Sequence, residues 1–277
     1  SKMNREAIEG YYRRMYVGRN LTLIAVGDFD PAVLGAQLSK VAGALPPGSQ
    51  FVPAKVAAPR FETSRLLLVD KPDATQTYFR IGTPGVDRTH PDRAPLLLVN
   101  TIFGGRFTSM LNDELRVNTG LTYGASSLLD EDRLPGVIAI SSYTRTDATE
   151  RAIDLALEVL GRLTEKGIDA ELLASAKAYR KGLFPTNRLE TSDQLADVLG
   201  ELEFYGLNKG EIDDLFSRLD AVTLERANEV AKKFYRNAHL QLCLIGNAAK
   251  IRDSVKKYAE RMQVVSVSDP GFTAPSF

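Results

Sequence analysis

The chain has 277 residues, 44% apolar and 25% charged, which is the make-up of a soluble globular protein with material for a sizeable core. Lys plus Arg equal Asp plus Glu at 35 each, so there is no general electrostatic reason to expect nucleic acid or an anionic membrane as partner. No apolar run approaches the ~20 residues of a membrane span, and residues 1–10 are too charged for a signal peptide, which leaves the compartment open between cytoplasm and periplasm.

In chain order, Glu6–Met15 reads as a helix and Asn20–Val26, NLTLIAV, as a strand ahead of Gly27. Asp30 fits an N-cap and Pro31 a first helical position. Val33, Leu34, Leu38, Val41 and Leu45 then form an apolar stripe that Pro46 and Pro47 end. Helix, strand and helix return near the other end: Thr223 caps one helix, HLQLCLI follows, and Lys250–Met262 reads as the second helix. The match reaches individual residues. Arg13, Arg14, Tyr16, Leu21, Leu23 and Gly27 correspond to Lys232, Lys233, Tyr235, Leu240, Leu242 and Gly246, all at an offset of 219. One offset kept through helix, strand and glycine predicts a duplicated domain. Residues 1–45 are then the end of a preceding homologous domain, 46–63 a proline-rich linker, 64–262 a complete second copy, and 263–277 a tail, loosely ordered from Val264.

Within that copy, Arg65–Val69 and Thr75–Thr83 read as strands on either side of a turn at Lys71–Asp73, and a helix after His90 and Pro91 ends at Gly104. A second helix follows the double glycine, with Thr108 or Ser109 as its cap, and stops at Asn118 and Gly120. Leu121–Leu129 and Val137–Tyr143 pair as a hairpin, so Arg116 ends a helix and Tyr123 begins a strand. Asp147 and Glu150 have capping-box spacing before a helix that runs to Gly167. Further helices start near Asp169, Ser192, Asn208 and Thr223. Strands followed by a run of helices predict an α+β fold, an antiparallel sheet with helices packed on one face. The lone Cys243, in an apolar run, is expected to be a buried structural thiol.

Several chemistries lack their spelling. There is no GxGxxG or GxxxxGK[ST] phosphate loop and no GxSxG elbow. His90 and His239 have no HExxH spacing and belong to no cluster of several Cys and His, so no self-contained zinc site is expected; both read as structural, His90 at an exposed helix entrance. What remains is GGRFTSMLNDELRVNTGLTYGASS. Its double glycine, serine, spaced leucines, Leu-Arg and Gly-Leu-x-Tyr, carried by Gly104, Gly105, Ser109, Leu111, Leu115, Arg116, Gly120, Leu121 and Tyr123, resemble the second-half motif of the M16 zinc peptidases, the pitrilysin and mitochondrial processing peptidase-like family.

The resemblance implies two homologous α+β halves closing around an extended peptide, with zinc held by HxxEH in the first half. This chain has no HxxEH. It therefore implies a C-terminal, substrate-binding half that is inactive alone and contains no cofactor, its zinc being supplied by an absent N-terminal half or a separate catalytic subunit. Arg116 and Tyr123 would hold the peptide backbone and stabilise the tetrahedral intermediate, where a fixed donor is commonly worth ~3–4 kcal/mol. Two other readings stand beside it, a non-catalytic scaffold subunit and a free-standing peptide-binding module. Taken alone, an arginine at a helix C-terminus also suits the macrodipole, and a strand tyrosine often merely packs. The glycines read as structural.

Overall fold

Residues 3–53, 59–269 and 277 are described by the computed structural model. In chain order the elements begin with α1 (Arg5–Met15), α2 (Pro31–Ala42), β1 (Arg65–Asp70), β2 (Gln76–Pro84) and α3 (Arg93–Phe103). Next come α4 (Met110–Asn112), which widens into a π-helical turn over Asp113–Asn118, then β3 (Ala125–Leu129) and β4 (Val137–Arg145). A helical series follows: α5 (Thr149–Glu165), α6 (Ala170–Arg188), α7 (Ser192–Tyr205), α8 (Gly210–Asp213), α9 (Leu215–Asp220) and α10 (Leu224–Phe234). The chain closes with β5 (Gln241–Gly246), α11 (Ala248–Val255) and β6 (Arg261–Ser266). Contacts divide it into two units, one holding residues up to 53 with 184–206, the other residues from 59 to 183 and from 207 onward.

In the first unit, helix starts follow local chemistry. Asn4 accepts the Ala7 amide at 2.9 Å, and Asp30 accepts those of Ala32 and Val33 at 2.7 and 3.2 Å. Thr191 and Gln194 form a reciprocal capping box on α7, which ends at Gly206 in the left-handed region. The strand expected over Asn20–Val26 does not form: Gly18–Asn20 make a 3₁₀ turn and residues 21–26 have no regular structure. A strand completes its backbone hydrogen bonds only against a neighbour, and among the described residues none lies alongside this one.

The second unit is built on one six-stranded sheet in the order β3-β4-β2-β5-β1-β6. The α+β class holds. β2 is antiparallel to β4 and β5, and β3 to β4, while β1 runs parallel to β5 and β6, so the sheet is mixed. β5, arriving late in sequence, lies between β1 and β2. Alternation sends Leu66 and Leu68, Phe79 and Ile81, and Leu242 and Leu244 into the core under the helices. The same alternation turns Cys243 outward, so the thiol is exposed rather than buried: LQLCLIG is a two-sided strand, not a fully buried one. β6 begins at Arg261 and runs to Ser266 beside β1, so α11 stops well before Met262, and Val264 starts no loose tail.

Two caps fail for physical reasons. The capping box of Asp147 and Glu150 is absent because Asp147 accepts from Arg145 inside a 3₁₀ turn and Glu150 is taken by Lys257 at 2.7 Å; Ala148 is the actual cap residue of α5. Ser109 stands at the N-cap of α4, yet its buried hydroxyl caps no amide. His90 is half-buried against the edge of Phe234 rather than exposed, and His239 sits exposed in a left-handed turn ahead of β5.

α1 and α10 keep the offset of 219 at both ends, and their C-cap tyrosines share a conformation: φ −88°, ψ 72° at Tyr16 and φ −94°, ψ 57° at Tyr235. Each donates its amide to the carbonyl four residues back.

Candidate functional site

The segment between α3 and β3 starts at a close contact. A side chain at Gly104 would meet the Ser127 amide nitrogen at 2.2 Å, because the Gly104 carbonyl accepts that amide at 3.0 Å; only glycine fits. The Asn100 side chain donates to the Ser127 carbonyl, so the start of the segment is pinned to β3 from both sides. Asn112, buried on α4, donates to the Phe107 carbonyl at 2.7 Å and accepts the Ala125 amide at 3.5 Å, which ties the stretch before α4 to the stretch after Tyr123.

Arg116 lies in the π-helical turn, not at the end of an α-helix. Leu115 accepts the amides of both Leu121 and Thr122, the Thr119 hydroxyl donates to the Glu114 carbonyl, and Gly120 takes φ +62°. The turn is clamped from outside by Arg162 on Glu114 at 2.8 Å. This pairing holds the Glu114 carboxyl below its usual range, through the Arg162 hydrogen bond first and despite burial. Leu111 and Leu115 are fully buried beneath it. Such π-turns re-aim side chains and recur at functional sites.

Tyr123 precedes β3 in an irregular loop, whereas the sequence predicts a strand from Leu121. Side-chain hydroxyls take the ladder's place: Thr144 donates to the Leu121 carbonyl at 2.6 Å, Ser142 to that of Gly124 at 2.9 Å, and Thr122 bonds Gly124. The loop leaves Tyr123 75% exposed.

The two residues meet. The Arg116 guanidinium lies 4.6 Å from the Tyr123 ring centroid and 4.8 Å from that of Phe107. Among the described residues no carboxylate pairs with it. A half-buried guanidinium against two rings, without a counter-ion, keeps donors for a ligand's carbonyl or carboxylate oxygens. Phe107 is the member the sequence reading missed. It stands nine residues before Arg116, outside any helical or strand periodicity, so no local spacing rule singles it out.

Among the described residues no group of three or more His, Cys, Asp and Glu side chains is placed to hold a metal ion, so these residues offer no ligand set that fits a zinc centre. No helix among them is long and apolar enough to cross a membrane.

With this geometry in hand, known proteins offer a comparison. The family described as the peptidase M16 inactive domain matches residues 2–179. An uncharacterized zinc protease of Mycobacterium leprae is 27% identical over 234 residues, covering 83% of this chain and 52% of its own length. A non-peptidase homolog of Helicobacter pylori is 21% identical over 252 residues, covering 90% of this chain and 57% of its own length. The solved peptidase M16 inactive domain of Pseudomonas fluorescens shares the fold, with a TM-score of 0.78 at 24% identity, covering 88% of this chain and 57% of that one. The chain thus spans about half the length of the curated relatives it matches.

Proposed function

We propose that this chain, which belongs to the peptidase M16 family by the match of its inactive domain to more than half of the residues, is the substrate-binding half of a two-half zinc endopeptidase. The observation that carries the proposal is the pairing of the half-buried Arg116 with the exposed Tyr123, the guanidinium having no carboxylate partner among the described residues. Arg116 offers planar donors to the carbonyls of an extended peptide. Tyr123 offers a phenol that donates to an oxygen gaining charge, and a pre-oriented donor of this kind acts without reorganising as the charge develops. Zinc and its ligands are assigned to an HxxEH-bearing half or subunit outside this chain. Residues 1–45 are assigned to the end of that preceding homologous domain, 46–63 to a linker and 64–262 to the complete second copy; the shared bounds and caps of α1 and α10 support this duplication.

The test is direct. Purified alone, the chain neither retains zinc after dialysis nor hydrolyses peptides, and mixing it with the HxxEH-bearing half yields chelator-sensitive cleavage. Chelator-sensitive hydrolysis by the chain alone defeats the proposal. The non-peptidase homolog of Helicobacter pylori favours a second reading, a scaffold or partner subunit without catalytic duty. On that reading the reconstituted pair cleaves equally well when Arg116 and Tyr123 are replaced.

A further inference from the structure

As a peptide clamp Arg116 is a long side chain that has to be held still, and among the described residues no carboxylate anchors it. An unrestrained arginine samples many rotamers and loses that freedom on binding, so whatever pre-holds it strengthens the clamp. We propose that Phe107 is a positioning residue that pre-orients the Arg116 guanidinium for substrate. This inference rests on the proposed role of the pair.

Three observations converge. The Phe107 centroid lies 4.8 Å from the Arg116 Cζ, nearly as close as that of Tyr123, so the cation contacts two aromatic faces. Phe107 is 61% exposed, and an aromatic ring so placed contributes little to the core. Its backbone is nonetheless fixed, because the buried Asn112 donates to its carbonyl at 2.7 Å independently of Arg116. A ring on an anchored stretch of backbone before α4 thus meets a cation carried by the π-helical turn after it. Aromatic contact restrains a guanidinium without consuming its hydrogen-bond capacity, whereas a salt bridge would occupy the donors that substrate needs. Tyr123 has two duties, one for its ring and one for its hydroxyl. Phe107, with no polar group, has the ring's duty alone.

The experiment has two arms. In the complete protein, Phe107→Leu is expected to raise KM about 3- to 10-fold with kcat and zinc content near wild type, since a clamp gripping ground state and transition state alike shows itself in KM. Phe107→Tyr, which keeps the ring, is expected to restore KM. In this chain, the Arg116 Nε–Hε resonance is expected to move when Phe107 becomes Leu, because a neighbouring ring current is lost, and to stay near wild type in Phe107→Tyr. An unchanged resonance in Phe107→Leu, or a KM equally raised in both variants, overturns the inference. Arg116→Ala separates the two layers. If it leaves turnover and KM unaltered, the clamp itself is refuted and Phe107 with it; if it impairs cleavage while Phe107→Leu does not, only the Phe107 role is refuted.

Discussion

α1 with residues 21–26, and α10 with β5, read alike at an offset of 219 residues, yet they finish differently. Both helices form, with the same bounds and the same tyrosine cap. Only the second copy acquires a strand. Ala227, Val230 and Ala231 on α10 are buried, while their counterparts Ile8, Tyr11 and Tyr12 on α1 are exposed. Tyr235 is 2% exposed and donates its hydroxyl to Asn100; Tyr16 is 60% exposed. A helix satisfies its own backbone, so capping and local propensity suffice, whereas the strand of the second copy forms because β1 and β2 stand ready on either side.

The largest expected effect breaks this equivalence outright. Tyr235→Ala removes a fully buried ring packed edge-on against Phe103 and is expected to cost about 3–5 kcal/mol in denaturant unfolding, while Tyr16→Ala changes stability by no more than about 0.5 kcal/mol. Equal losses would mean that the two copies are not used differently. A smaller effect comes from a charge that α10 alone engages. Asp92, buried at the entrance to α3, is bound by Arg226 and by Lys233 at 2.8 Å, and α1 places Ala7 and Arg14 at the matching positions. Burial raises the Asp92 pKa, but the two cations outweigh it and hold the carboxyl below its usual range. A depressed pKa contributes stability fully present above the unfolded carboxylate value, about 3.9, and lost as pH falls through the folded value. Asp92→Asn is therefore expected to cost about 2–3 kcal/mol at neutral pH, with the gap to wild type closing below about pH 4 in pH-resolved unfolding. A gap that widens on acidification contradicts this account.

What was legible in the sequence was largely what is local. Asp30 with Pro31, and Thr223, announced their helices correctly because a cap needs partners only two or three residues away. Leu66, Leu68, Phe79 and Ile81 announced their buried face by alternation. Errors arose where a distant group intervened. Lys257 took Glu150 from its predicted capping box, and Thr144 took the Leu121 carbonyl from its predicted ladder. Cys243 faces outward, against the expectation of a buried thiol, because a strand bounded by apolar residues can still have an open face. At the site, Arg116 and Tyr123 were recognisable through a motif and do converge. The π-helical turn and Phe107 were not, since one depends on backbone widening and the other on a contact that spans α4, from the loop before it to the turn after it.

The central claim is that Arg116 and Tyr123 serve a zinc centre held outside this chain. The measurement that tests it most directly is steady-state peptide cleavage by the complete protein carrying Arg116→Ala or Tyr123→Phe, with zinc content and unfolding measured on the same samples. Loss of a positioned donor is expected to lower kcat/KM by about 10²-fold or more in each variant, with zinc and stability unchanged. Wild-type kcat/KM in both variants would contradict the account and leave this chain a scaffold.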